Sequence, residues 1–439
     1  MRHNFNGHWR NHYEPRIMPA SDAAALVKSG EHIWIPPGHA SPSIIEELSA
    51  RTAELSDVEI RGLGVADFGL FSADAAKTFH YQDQFGNIFS RPALAAKIID
   101  FHPYWLVGRH KALDAGREEA WAVDNLMITT SEPDSNGFVS LGCSVWDGIT
   151  TARRATRVIA SVNPMTRHTY GDTTLHVSEI DAFVPDERVG VPPDPVYDTA
   201  DKGIAHHVNE LIEDGDTIQI GVGSHTSGMV HFGALDGKQE LSYFGELSVA
   251  GLVPMVEQGI ITGRTSQLHP GKFVATLIGN TPEEREMVYG NRAFELYDLE
   301  YLLDPRNIAR NDGIVAINGA LSIDLTGQTG VYSIGARIYA GMGGHLAFAV
   351  GAYLSPRGRY VCVLPSTAVN GTVSTITAQF EAGQIVSVPR EMADTVVTEY
   401  GIARLLGKSV RQRAEELISI AHPDHRGELK KAAQRLFYN

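Results

Sequence analysis

The 439-residue chain is 43% hydrophobic and 20% charged, an ordinary globular composition with apolar material for more than one core, since single cores stop growing at roughly 250 to 300 residues. Its formal net charge of −15 argues against a broad electrostatic hold on nucleic acid or on an anionic membrane, because both need clustered positive charge. Two cysteines, Cys143 and Cys362, each in an apolar stretch, argue against a disulfide framework or a thiolate metal cluster.

In chain order, Met1 to Arg16 is rich in His, Asn and Arg and lacks the apolar core of a signal peptide, so a cytosolic protein is expected. His3, His8 and His12 match no compact ligand spacing and read as a surface arm; no metal site is expected. Gly30 to Gly38 reads as turn, strand, glycine turn and then helix, and Val158 to Val162 as a strand. The passage from Val184 to Tyr197 carries Pro185, Pro192, Pro193 and Pro195, which resist both helix and interior strand. It reads as a linker at 186–199, between an N-terminal domain at 1–185 and a C-terminal domain at 200–439. Beyond it, Lys202 to Glu213 has helical period, and Gly215 to Gly223 echoes the pattern of Gly30 to Gly38. The alternation of short β-branched runs with helical segments predicts two similar α/β domains. Their cleft is the expected place for a site.

Three segments carry candidate chemistry. The strand Thr217 to Ile220 feeds Gly221-Val222-Gly223-Ser224-His225, where missing Cβ atoms let backbone N–H groups approach a ligand oxygen; a purely structural turn is the competing reading. Glu246 follows an apolar strand and Gly245, before the helical pattern of Val249 to Gln258. Read alone, it complements a helix dipole by roughly 0.3 to 1 kcal/mol. Gly341-Met342-Gly343-Gly344-His345 brings backbone close to a ligand or to a neighbouring strand. Asn318, closing the strand Gly313 to Ile317, and Gln328, in Thr326-Gly327-Gln328, can donate to a ligand or satisfy a turn. The apolar stretch Gly335 to Leu354 contains Arg337 and His345 and is no membrane span. His422-Pro423-Asp424-His425 follows a charged helical segment and reads as its end. No G-x-S-x-G elbow, H-E-x-x-H or paired C-x-x-C occurs.

Taken together, the segments resemble the acetyl-CoA hydrolase/transferase family, which includes 4-hydroxybutyrate, succinate:acetate and itaconate CoA-transferases. The resemblance rests on Pro133 to Gly142, Gly171-Asp172 through Asp181, Gly221 to Gly223, Val256 to Thr262, Asp324 to Gln328, Leu364 to Thr367, Val397 to Gly401 and Ala421 to Asp424. It implies two domains of the NagB/RpiA-like type with the active site in the interdomain cleft, and a nucleophile at Glu246. It further implies acyl-CoA contacts at Gly221, Val222, Gly223, Ser224, His225, Asn318, Gly341, Gly343 and Gly344, with backbone at Val222 and Gly341 as oxyanion donors. Glu399 and Gln328 fall at positions facing the acid substrate. The implied substrates are acyl-CoA and small carboxylic acids, with no tightly bound cofactor and a homodimer or higher oligomer. An acyl-CoA hydrolase and an inactive acyl-CoA-binding relative are the alternatives.

The chain departs from the family pattern in several places. Phe244-Gly245 stands where the family often has His followed by Ser or Thr, and Gly343-Gly344-His345-Leu346-Ala347-Phe348 where it often has Gly-Gly-Gln-x-Asp-Phe. Leu303 and Gly330 stand in place of asparagines. An apolar neighbour at 244 is expected to raise the Glu246 pKa by desolvation.

Overall fold

The structure is a computed structural model and describes residues 7–62, 66–103, 106–188, 197–341 and 343–438. The chain forms two compact units, Met1–Pro192 with Val288–Glu300, and Pro193–Met287 with Tyr301–Asn439. Of the linker expected at 186–199, residues 189–196 lie outside the described residues, as do His3 and Met342.

The first unit is built on a wholly parallel sheet. Its strands are β1 (His32–Ile35), β2 (Val58–Gly62), β3 (Phe79–Asp83), β4 (Asp100–Phe101), β5 (Asn125–Thr130), β6 (Arg157–Val162) and β7 (Ala182–Pro185), in the order β4-β3-β2-β1-β5-β6-β7. Ile33, Trp34 and Ile35 have no exposed surface, as expected of a parallel strand covered on both faces. Helix α1 (Pro42–Ser49) starts at Ser41, whose hydroxyl accepts from the Ile44 N–H, and turns Ile44, Ile45 and Leu48 into the core. The later segment Val288–Glu300 joins this unit through backbone bonds from Leu296 N–H to Tyr170 O and from Asp172 N–H to Leu296 O. Gly171, at φ +105°, permits them: a Cβ there would sit 2.1 Å from the Leu296 carbonyl oxygen.

The second unit repeats the plan. Its strands β8 (Thr217–Ile220), β9 (Ser242–Phe244), β10 (Phe273–Ala275), β11 (Ile314–Gly319), β12 (Arg359–Val363), β13 (Thr395–Thr398) and β14 (Gly401–Arg404) run β10-β9-β8-β11-β12-β13-β14. All pairs are parallel except β13 with β14. Helices α2 (Ala200–Leu211), α3 (Ser224–His231), α4 (Pro305–Ala309), α5 (His345–Leu354), α6 (Val410–Ile420) and α7 (Pro423–Phe437) accompany it. Ile204, Ala205, Val208 and Leu211 form the buried stripe of α2, and Gly351 of α5 lets α4 close in, since a Cβ there would meet Ile308 at 2.3 Å. The sequence echo has a topological meaning. β1 and β8 hold the same place in their sheets, the point where strand order reverses, and α/β sheets bind ligands outside the carboxyl ends of strands at such a point.

Three expectations are corrected. His12 is no part of a surface arm: it is buried, with Nε2 3.1 Å from the Ile180 carbonyl oxygen, and only His8 of the described pair is exposed. His422 does more than end a helix, because its Nδ1 accepts from the Asp424 N–H and caps α7. The helix expected over Val249 to Gln258 is a single turn, Pro254–Glu257. Both cysteines are buried, and among the described residues no helix is long and apolar enough to cross a membrane.

Candidate active site

Glu246 lies just beyond β9, where backbone pairing fixes it from both sides. Gly245 N–H donates to Val274 O at 3.0 Å, the Glu246 carbonyl accepts from Thr276 N–H at 2.9 Å, and Ser248 N–H donates to Leu277 O at 2.9 Å. The turn is therefore a continuation of the β9–β10 ladder and not the first turn of a helix, which corrects the dipole reading made for Glu246 from sequence. The side chain is nevertheless bound by a helix end. Oε2 accepts from the N–H of Gly344 at 2.5 Å, and Gly344 is the N-cap of α5. An orphan donor and the positive end of a helix dipole thus face the carboxylate from a segment 98 residues away.

The surroundings of that carboxylate are apolar. Glu246 is 8% exposed, and Phe244, Leu303 and Phe348 are buried. A Cβ on Gly344 would lie 2.5 Å from Glu246 Oε2, 2.7 Å from Leu303 Cδ2 and 3.2 Å from Phe348 Cε2, so the backbone is pressed between the carboxylate and two apolar side chains. Phe244 stacks at 6.4 Å on His269, whose Nε2 lies 2.8 Å from the Tyr301 hydroxyl. Burial raises the Glu246 pKa from 4.5 to about 7, and the Gly344 N–H pulls the other way. The direction is the one expected from Phe244.

The glycine loop leaves β8 at the reversal point. Gly221 N–H donates to Ile317 O, and a Cβ at Gly221 would meet Asn318 Oδ1 at 2.3 Å. Asn318 is buried and its amide is paired reciprocally with Gln219, at 2.9 and 3.2 Å. Val222 is 49% exposed, and Gly223 and Ser224 are exposed beside it. His225 Nδ1 lies 2.7 Å from Oδ1 of Asp201, a carboxylate with no exposed surface whose other oxygen accepts from Asp198 N–H. Because a carboxylate only accepts, Nδ1 carries the proton in this contact. Gly228 makes room for Asp201, since a Cβ there would be 2.0 Å from Oδ2.

The remaining sequence candidates are distributed differently. Gly341 is buried beside the start of α5, and Gly343 sits at φ +54°. Gly344, expected at the ligand, spends its N–H on Glu246. His345 is buried with Nε2 2.6 Å from the Tyr360 hydroxyl, and burial holds its pKa at about 3. Gln328 closes a turn, its Nε2 donating to Asp324 Oδ2 at 2.6 Å. Glu399 accepts from Ser366 N–H at 2.9 Å and Ser366 Oγ at 2.5 Å. Gln219, Asp201 and Ser366 were not foreseen. The carboxylate of Asp201, three residues before the stripe that starts at Ile204, gives no sign in sequence of its histidine partner in α3.

Two family models match the chain, the acetyl-CoA hydrolase/transferase N-terminal domain over residues 1–193 and the C-terminal domain over residues 284–433. The chain is 33% identical to the succinyl-CoA:cyclohexane-1-carboxylate CoA transferase of Geobacter metallireducens, over 98% of this chain and 97% of that one. It is 31% identical to the 4-hydroxybutyrate coenzyme A transferase of Clostridium kluyveri, over 98% and 100%. Among solved structures, RipA from Yersinia pestis superposes with a TM-score of 0.91 at 27% identity, covering 99% of this chain and all of that one.

Two outcomes follow from the geometry. A carboxyl whose pKa is about 7 folded and 4.5 unfolded costs nothing below pH 4.5, where both states are protonated. It costs roughly 3 kcal/mol above pH 7, where the folded state must hold it ionised. Glu246→Gln is therefore expected to raise the thermal unfolding midpoint at pH 8 by several degrees and to leave it nearly unchanged at pH 4.5, as read by scanning calorimetry. Gly344→Ala drives a methyl group into Oε2 and is expected to lower turnover about 100-fold with the circular dichroism spectrum unchanged.

Proposed function

The chain belongs to the acetyl-CoA hydrolase/transferase family, and from that premise we propose that it moves CoA between small carboxylic acids through a thioester on Glu246. The observation that carries this reading is the buried carboxylate held by Gly344 N–H at the carboxyl end of the sheet. A carboxylate in water is a poor nucleophile; one stripped of water and held by a single N–H is a better one.

The chemistry balances without ATP or metal. A Glu246 oxygen attacks the thioester carbonyl of the donor, CoA leaves as thiolate, and a mixed anhydride forms. The thiolate then attacks the glutamyl carbonyl of that anhydride, which releases the donor acid as carboxylate and leaves glutamyl-CoA. An acceptor carboxylate runs the two steps in reverse and regains Glu246 as carboxylate. Each attack places negative charge on a carbonyl oxygen, and backbone N–H groups at Val222 and Gly341 are the donors we assign to it, each worth about 3 kcal/mol. We assign the acyl-CoA to the loop Gly221 to His225 together with Asn318, Gly343 and Gly344, and the acid to the neighbourhood of Glu399 and Gln328. The acids are of the 4-hydroxybutyrate, itaconate, succinate or acetate class. The apolar side chains of Leu303 and Phe348 favour transfer over hydrolysis, because they offer water no hydrogen-bond partner beside the anhydride.

Incubation with an acyl-CoA is expected to add the mass of CoA less one water, mapped to Glu246, with no addition in Glu246→Ala; an unmodified wild-type chain under every donor tried would remove the mechanism. Thioester consumption is expected to rise with added acetate, succinate, itaconate or 4-hydroxybutyrate, and consumption indifferent to all acids would turn the reading to hydrolysis. Since only the carboxylate attacks, kcat/KM for acyl-CoA is expected to rise about tenfold per pH unit below pH 7 and to level off above it.

A further inference from the structure

Tyr243 has no part in the chemistry above, yet it touches both halves of the site. It lies in β9, 1% exposed, with its ring stacked on Phe273 at a centroid distance of 4.2 Å and an interplanar angle of 11°. Its hydroxyl donates to the Leu247 carbonyl at 2.5 Å and lies 3.3 Å from the Ile220 carbonyl. Leu247 follows Glu246 directly, and Ile220 directly precedes Gly221. A hydroxyl carries one proton, so the Leu247 bond is the principal one and Ile220 shares it weakly. Burial pushes the phenol above its usual value, which keeps the proton on the oxygen as donor.

The residue beside the nucleophile is shaped by the same side chain. A Cβ at Gly245 would lie 2.7 Å from Tyr243 Cε1, 2.9 Å from Cζ and 2.8 Å from the hydroxyl oxygen. The φ at Gly245 is not in the left-handed region, so the demand for glycine here comes from the ring and not from the backbone conformation. The site thus contains a paired adaptation: a tyrosine reaching under its own strand end, and a glycine two residues on that vacates the space.

We propose that Tyr243 is a positioning residue of the transfer reaction, whose hydroxyl fixes the turn carrying Glu246 against the root of the glycine loop, and that Gly245 is there to admit its ring. This rests on the glutamyl thioester reading. A nucleophile and its oxyanion donors must keep their mutual geometry within a fraction of an ångström, and a misplacement of about 1 Å costs on the order of 100-fold in rate. A single hydroxyl bonded to the carbonyl after the nucleophile, and close to the carbonyl before the loop, is well placed to hold that distance.

Tyr243→Phe keeps the ring and removes the hydroxyl. Rapid-quench mass spectrometry is expected to give glutamyl-CoA forming about 10- to 100-fold more slowly, with KM for acyl-CoA within about threefold and the pH midpoint of kcat/KM lowered as water reaches the loosened carboxylate. A hydroxyl that serves stability alone would lower the melting temperature and leave the rate constant and midpoint in place, and that result would overturn the proposal. Gly245→Ala is expected to abolish adduct formation, and adding Tyr243→Val to it to restore at least tenfold of the loss; no restoration would remove the role given to Gly245. If the unsubstituted chain forms adduct and Tyr243→Phe forms it equally fast, only this inference fails. If neither forms adduct, the thioester reading fails and takes this one with it.

Discussion

The hydrogen bond from Gly344 N–H to Glu246 Oε2 governs the character of the site. A carboxylate taken out of water without a partner costs several kcal/mol, and a buried cation is the usual remedy. Here the compensation is a peptide dipole at the start of α5, enough to orient the group and too little to keep its pKa near 4.5. An arginine or lysine in that place would hold the charge securely and dull the oxygen as a nucleophile. The fold supplies the weaker partner, which suits the nucleophilic role proposed for Glu246, since a poorly solvated carboxylate is the more reactive one.

That bond would be useless if Glu246 could move. Three backbone bonds on the β9–β10 side fix the turn, and Ser248 extends the anchorage, its hydroxyl accepting from Gly279 N–H and its carbonyl from the Asn280 side chain. On the facing strands, the Gln219–Asn318 amide pair locks β8 to β11 where the glycine loop departs. Parallel strand ends at a reversal of order leave a gap above the sheet, and in this unit the gap is bordered by elements with little freedom. Rigid elements make a more exact site than loops do, which explains why so many buried polar atoms near Glu246 bond to backbone.

Much of this could be read in the chain. The Gly30 and Gly215 echo marked the two reversal-point strands, because a short β-branched run followed by glycine and a helix start is a local pattern. The strand Thr217–Ile220, the glycine loop and the position of Glu246 at a strand end were legible for the same reason. What was not legible depends on distance. Nothing near Gly344 in sequence says that its N–H will meet a carboxylate 98 residues earlier, nor that Asn318 will pair with Gln219 across two strands. Val249 to Gln258 carries helical periodicity, but Gly251 at φ +92° breaks it and Pro254 restarts a single turn. The return of Val288–Glu300 to the first unit needs a glycine at 171, and that need shows only when Leu296 is placed against it.

The departures from the family pattern gain a physical meaning from this arrangement. Phe244 stands where the family often has histidine and Leu303 where it often has asparagine, both side chains are buried, and burial is what raises the Glu246 pKa to about 7. Near neutral pH Glu246 is then divided between its protonated and ionised forms, and in the reaction we propose only the ionised form attacks. In the reaction we propose, the gain is on the other side: nucleophilicity rises with basicity, and the side chains of Leu303 and Phe348 beside Gly344 offer water no hydrogen bond next to the mixed anhydride. For the reaction we propose, apolar surroundings suit a carboxylate whose anhydride has to be opened by CoA thiolate before it is opened by water.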